Sequence, residues 1–188
     1  MENQEQLKQI LVGCVNQKRR SQEELFKLYY GKMLSVVHRY IHDMDTSQEV
    51  VQEGFIKVFD KLHKFDFKGS FEGWIRRIMT NCAIDHIRKA KRNPFLSEKD
   101  EDFKVEIEDQ LILQEDLELS EIKYELALES ISELSPAYRT VFNLFAVENY
   151  THREIAEMLN ISEGTSKSNY AKAKMNLQKI LKSKLKSE

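Results

Sequence analysis

Two sets of polar and basic side chains in this chain recur at helical spacing, a pattern that could contact nucleic acid. Arg77, Asn81, Ile84 and Arg88 recur at helical intervals and share one stripe of a helix. Asn can read a base edge, while Arg and Lys grip phosphate. Asp85 stands three residues before Arg88 and can orient its guanidinium. A second set has the same character: Thr165, Lys167, Ser168, Asn169, Lys172 and Lys174. Ser168, Asn169 and Lys172 are the base-edge candidates, and Lys167 and Lys174 the phosphate candidates. Asn169→Ala is then expected to relax sequence choice. The plain alternative for both sets is a solvated basic face.

Other chemistry finds less support. His38 and His42 lie four apart on a helix, with Asp43, Asp45 and His63 nearby, but no third ligand completes a metal site. A metal-dependent nuclease built on that cluster is therefore the remote reading. No nucleophile–base motif and no Gly-rich phosphate loop appears. No enzyme activity, cofactor or small-molecule substrate is expected. Cys14 and Cys82 lie far apart in helical patterns and form no Cys-x-x-Cys pair. They read as buried thiols in a reducing cytoplasm.

The elements that must hold these residues are helices. Only two Pro and six Gly occur in 188 residues, and no Val/Ile/Thr-rich alternating run stands out, so the chain is expected to be all-α. The clearest unit is a helix-turn-helix. Thr151 and Glu154 form a capping box, and Ile155, Ala156 and Leu159 give a buried face. Asn160 suits a left-handed turn position, and Ser162 caps the next helix, with Ser166, Tyr170, Ala173 and Leu177 facing inward. Such a unit commonly lays its second helix in the DNA major groove.

Upstream, Ser21 with Glu24 and Thr46 with Glu49 read as capping boxes opening helices to about Tyr40 and Leu62. The second helix buries Val51, Phe55, Val58 and Leu62, and shows Gln48, Glu49, Gln52, Glu53 and Lys57 on its other face. Lys64 to Ser70 reads as a loop. A third helix runs from Phe71 to about Arg92, burying Phe71, Trp74, Ile75, Ile78 and Cys82. Two more are expected near Ile122–Leu134 and Pro136–Val147, the latter started by Ser135 as cap and Pro136 at the first helical position.

Charge is divided unevenly along the chain. Phe71 to Arg92 has six Lys/Arg against Glu72 and Asp85, a net of +4. Ser97 to Glu121 has eleven acids against Lys99 and Lys104, a net of −9. Lys167 to Glu188 has seven Lys against Glu188, a net of +6. An acidic segment over 93–120 thus separates a first domain, 1–92, from a second, 121–188. The far tail, Lys182 to Glu188, reads as a frayed, solubilising end. The polar stretch Met1 to Gln9 is not expected to be a signal peptide, and no apolar run approaches the roughly 20 residues of a membrane span.

Three stretches together resemble the sigma-70 family of RNA polymerase sigma factors, in the short extracytoplasmic function group. Thr46 to Phe55 resembles the core-binding motif. Phe71, Trp74, Ile78, Asn81, Asp85 and Arg88 match the helix that meets the −10 element. Leu134 to Leu177 matches the −35 element domain. The resemblance covers about Ser21 to Leu181.

It implies a transcription initiation factor with these partners: core polymerase, through its largest subunit's clamp; duplex −35 DNA; and single-stranded −10 DNA. A dedicated anti-sigma protein, often membrane-tethered, is also implied. Gln48, Glu49, Gln52 and Glu53 are the implied polymerase contacts. Lys68 and Ser70 are implied beside a flipped base, in a loop where Phe65 plugs the core and Phe67 either plugs it or lines the pocket. Trp74 reads as core rather than a strand-separating wedge. The acidic segment is implied to thread into the polymerase. Gly54, Ser166, Asn169 and Tyr170 depart from the family pattern, so promoter sequence does not carry over. The rival from another class is a stand-alone helix-turn-helix regulator, which leaves the Gln52–Glu53 motif unexplained.

Overall fold

The scarcity of helix breakers is answered by helices at every regular element among the described residues. The computed structural model describes residues 2–90 and 120–185, with side chains over 5–89 and 126–185. The acidic segment, apart from Ser120, lies outside the described residues, as do Lys91 and Arg92. The chain divides into two units, residues 1–86 and 87–188.

The first unit is built on α1 (Glu2–Val15), α2 (Arg19–Ile41), α3 (Met44–Lys61), a 3-10 turn (Leu62–Lys64) and α4, which spans Phe71–Ala90. Helix α1 extends the helical pattern expected around Cys14 back to Glu2. Its few apolar positions sit in a polar stretch, yet Leu11 and Cys14 are buried. It packs tightly on α2, because a Cβ at Gly13 would lie 2.1 Å from Ser21 Oγ. That contact also corrects the reading of Ser21 as a cap. Helix α2 begins at Arg19 after Lys18, which makes no side-chain cap.

The expected cap at Thr46 is corrected too. Asp43 caps α3, accepting the Thr46 N–H at 2.9 Å. Asp is the stronger N-cap, and the residue three positions on supplies the donor. These bonds from Thr46 hold the Asp43 carboxyl below its usual pKa. The buried row of α3 is Val50, Val51, Gly54, Phe55 and Val58. Glycine costs roughly 1 kcal/mol in mid-helix, and packing explains it here. A Cβ at Gly54 would lie 2.3 Å from Met79 Sδ, and Met79 is itself buried.

The second unit comprises α5 (Ser120–Ser132), α6 (Pro136–Phe142), a π-helical turn (Asn143–Val147), α7 (His152–Leu159) and α8 (Glu163–Lys184). Pro136 starts α6, but Ser135 makes no capping bond. The buried Arg139 instead closes this corner, donating from Nη1 to the Ser132 carbonyl at 2.7 Å. The helix-turn-helix ends match the sequence. Thr151 and Glu154 form the full capping box, Asn160 is left-handed at φ 55°, and Ser162 accepts the Thr165 N–H at 2.9 Å. Of the expected frayed tail, Lys184 is held within the fold, its Nζ 2.7 Å from Glu133 and 3.0 Å from Glu129, while residues 186–188 lie outside the described residues. Among the described residues no helix is long and apolar enough to cross a membrane.

Candidate nucleic-acid interface

Helix α4 presents its polar residues on the side away from its core. Ile75, Met79, Cys82 and Ala83 are buried, while Arg77, Asn81 and Asp85 are exposed and Arg88 is half-buried near the helix end. The expected outward stripe needs one correction. Ile84 is 2% exposed, because its apolar side chain follows Met79 and Ala83 into the core; Asp85 takes the outward place. At the start of α4, Glu72 is held by Lys32 at 2.8 Å and Arg76 at 3.7 Å.

The loop before α4 is shaped by aromatics. Phe65 is buried, and its ring meets those of Phe67, Phe71 and Trp74 at 5.1 to 5.5 Å. Phe67 is not a plug. It is 50% exposed and sits at φ 61°, a conformation a bulky side chain rarely adopts. Its ring helps line an open cleft of about 730 Å³ with Tyr29, Phe65, Phe71 and the α1 residues Leu7 and Leu11. Trp74 is half-buried against Phe65 and Phe71. Lys68 is exposed, its N–H turned onto Asp66 Oδ1 at 3.1 Å. Ser70, also exposed, caps α4 by accepting the Gly73 N–H at 3.3 Å. Extruded bases use such stacking faces and donors.

On α3, Glu49, Gln52 and Glu53 are exposed and Gln48 is half-buried. Ile56 stands beside them at 62% exposure, an apolar side chain that sequence reasoning passed over. Its signal was available: Ile56 lies four residues after Gln52 and off the Val51–Phe55–Val58 row.

Helix α8 separates the remaining candidates. Lys167 is exposed, and Ser168 and Lys172 are half-buried. Lys174 Nζ lies 5.7 Å from the centre of the Tyr170 ring. The half-buried Thr165 pairs its hydroxyl with Ser162 at 2.8 Å, so it belongs to the cap. Asn169 is the second correction. It is 4% exposed and shares the inner row with Ser166 and Ala173, because α8 packs against α5, α6 and α7 together and buries a wide stripe. A side chain so enclosed cannot present its amide to a base edge.

The histidines expected to be weighed as ligands are otherwise engaged. The His38 and His42 rings stack at 5.3 Å, and His38 Nδ1 meets Ser47 Oγ at 3.3 Å. Among the described residues no group of three or more His, Cys, Asp or Glu gathers as a metal site. Both cysteines are buried, and burial pushes the Cys14 thiol up to about 11.

Known proteins similar to this chain belong to one family. Residues 25–93 match the family model for sigma-70 region 2, and residues 124–177 that for sigma-70 region 4. The chain is 29% identical to the ECF RNA polymerase sigma factor SigW of Bacillus subtilis, over 85% of this chain and 88% of that one. It is 27% identical to the RNA polymerase sigma-H factor of Pseudomonas aeruginosa, over 96% of both. Among solved structures it is similar in fold to the sigma factor RpoE of Bartonella quintana, described in complex with the anti-sigma factor NepR. That match has a TM-score of 0.51 and 20% identity, over 85% of this chain and 96% of that one. CnrH, in complex with the cytosolic domain of CnrY, matches with a TM-score of 0.50 and 18% identity, over 93% and 96%.

Proposed function

The chain belongs to the sigma-70 family of RNA polymerase sigma factors, in its extracytoplasmic function group, and we propose how its residues divide the work of a promoter-specific initiation factor. Residues 1–92 form the domain that docks on core polymerase and opens the −10 element. Residues 93–120 form the linker, which threads into the polymerase. Residues 121–188 read the −35 element.

The α3 face of Gln48, Glu49, Gln52 and Glu53 meets the clamp of the largest subunit, with Ile56 as its apolar contact. A water-excluded aliphatic side chain among polar ones is where such interfaces gather binding energy. Arg77, Asn81 and Arg88 meet the −10 DNA, with Lys68 and Ser70 beside the cleft that takes an unpaired base. Lys167, Ser168, Lys172 and Lys174 face the −35 duplex, Lys167 and Lys174 on phosphate. Strand opening follows from differential binding: the Phe65–Phe71 loop holds a base only once it has left the stack.

The polymerase makes the bonds, and this chain supplies selection. That division explains a net charge of −2 in a DNA-reading protein, since core polymerase carries most of the DNA affinity. The protein works in the cytoplasm, and an anti-sigma partner of the kind seen with RpoE restrains it.

The observation that carries this reading is one chain holding two outward polar helix faces, on α4 and α8, beside a third on α3. Co-elution with sigma-free bacterial core polymerase on a sizing column tests it. Stoichiometric co-elution, lost in Gln52→Ala/Glu53→Ala and competed by a housekeeping sigma factor, is expected. Duplex DNA bound by the protein alone, with no co-elution, returns the assignment to a stand-alone regulator.

A further inference from the structure

The two helices of the helix-turn-helix are joined by more than their apolar seam. His152 is the first residue of α7, and Ser166 lies in the first turn of α8. His152 Nδ1 meets Ser166 Oγ at 2.9 Å, and the Ser166 side chain is fully buried. A buried hydroxyl needs a partner, and the imidazole is the one it has on the facing helix.

The imidazole is itself held in place. Its ring lies 4.3 Å from Phe145 at an interplanar angle of 13°, and edge-on to Tyr170 at 5.9 Å. Phe145 also packs on Tyr170 at 4.6 Å. The π-helical turn, α7 and α8 therefore grip one another through a ring cluster that ends in a single directed bond. Lys167 and Ser168 follow Ser166 immediately, Lys167 exposed and Ser168 half-buried. A bond at Ser166 thus fixes the rotation and height of the turn that carries them, and base-edge contacts tolerate little error in either.

We propose that His152 is a positioning residue for −35 recognition: its bond to Ser166 sets the first turn of α8 in register with the groove. The inference rests on the initiation-factor reading above and adds a residue that acts through Ser166. Either tautomer makes the bond, with the imidazole accepting from the hydroxyl or donating to it.

The test uses holoenzyme, reconstituted from core polymerase and the full chain, selecting from a duplex library randomised over both promoter elements. His152→Ala and Ser166→Ala are each expected to lower enrichment at the −35 block about three- to tenfold, the equivalent of one hydrogen bond. Enrichment at the −10 block stays unchanged. The double variant is no worse than the single ones, because both remove the same bond. His152→Asn, whose amide can stand in for Nδ1, recovers part of the loss. Circular dichroism melts of the variants establish that they fold. Wild-type −35 enrichment in folded Ser166→Ala overturns the proposal, as do losses that multiply in the double variant. If wild-type holoenzyme enriches neither block, the initiation-factor reading itself falls and takes this inference with it.

Discussion

Helix ends are specified differently around the helix-turn-helix and at the starts of α2 and α3. Around the helix-turn-helix, Thr151, Glu154, Asn160 and Ser162 each do locally what their residue types favour: cap, return bond, left-handed turn, cap. Helices α2 and α3 have equally plausible signals at Ser21 and Thr46, and neither acts as the cap. Ser21 is set against Gly13, and Asp43 takes the cap from Thr46. A capping signal holds where the flanking turn is short and exposed. It yields where a neighbouring helix claims the side chain or a better acceptor stands upstream.

That contrast can be broken at its strongest point first. In the first unit, close helix approach governs, so Gly54→Val should lower stability by about 3 kcal/mol, through overpacking against Met79. A urea titration showing less than about 1 kcal/mol would mean that the α3–α4 contact gives way easily.

Around the helix-turn-helix local bonds govern. Thr151→Ala should cost about 1 to 2 kcal/mol by opening the capping box. Thr46→Ala loses its side-chain bond to the exposed Asp43 but keeps the backbone donor, and should stay within about 0.5 kcal/mol. Equal losses in thermal melts of the two variants would erase the distinction.

Asn169→Ala sharpens it further. The sequence pattern expects relaxed −35 choice, whereas burial at 4% exposure predicts about 1 kcal/mol of lost stability with promoter preference retained. Selection from a −35 library by variant holoenzyme decides between them.

The smallest effect concerns acid. Burial and then Lys167 hold the His152 pKa below 6.5, with Glu163 pulling it back up. The unfolded chain therefore takes up this proton before the folded one. The contribution is complete above about pH 6.5 and declines as pH falls below it. A His152→Asn variant should flatten that slope of melting temperature against pH; an unchanged slope would assign it to other groups.

Much of the architecture was legible. Both polar helix faces, the loop before α4 and all three signals of the helix-turn-helix could be read from residue type and period. The start of helix α1 could not, because the polar stretch before Leu11 leaves no periodic signal. Ile84 and Asn169 were read outward for a related reason. Period fixes which residues share a face, but the width of the buried stripe depends on how many helices press against it.

The sequence by itself determined the helical class, the α7 and α8 caps and the order of motifs, all of which rest on interactions within a few residues. Tertiary structure decided which residues reach solvent, why Gly54 stands in mid-helix and how His152 meets Ser166. Those outcomes depend on distances between helices, and no spacing within a helix encodes a distance of that kind.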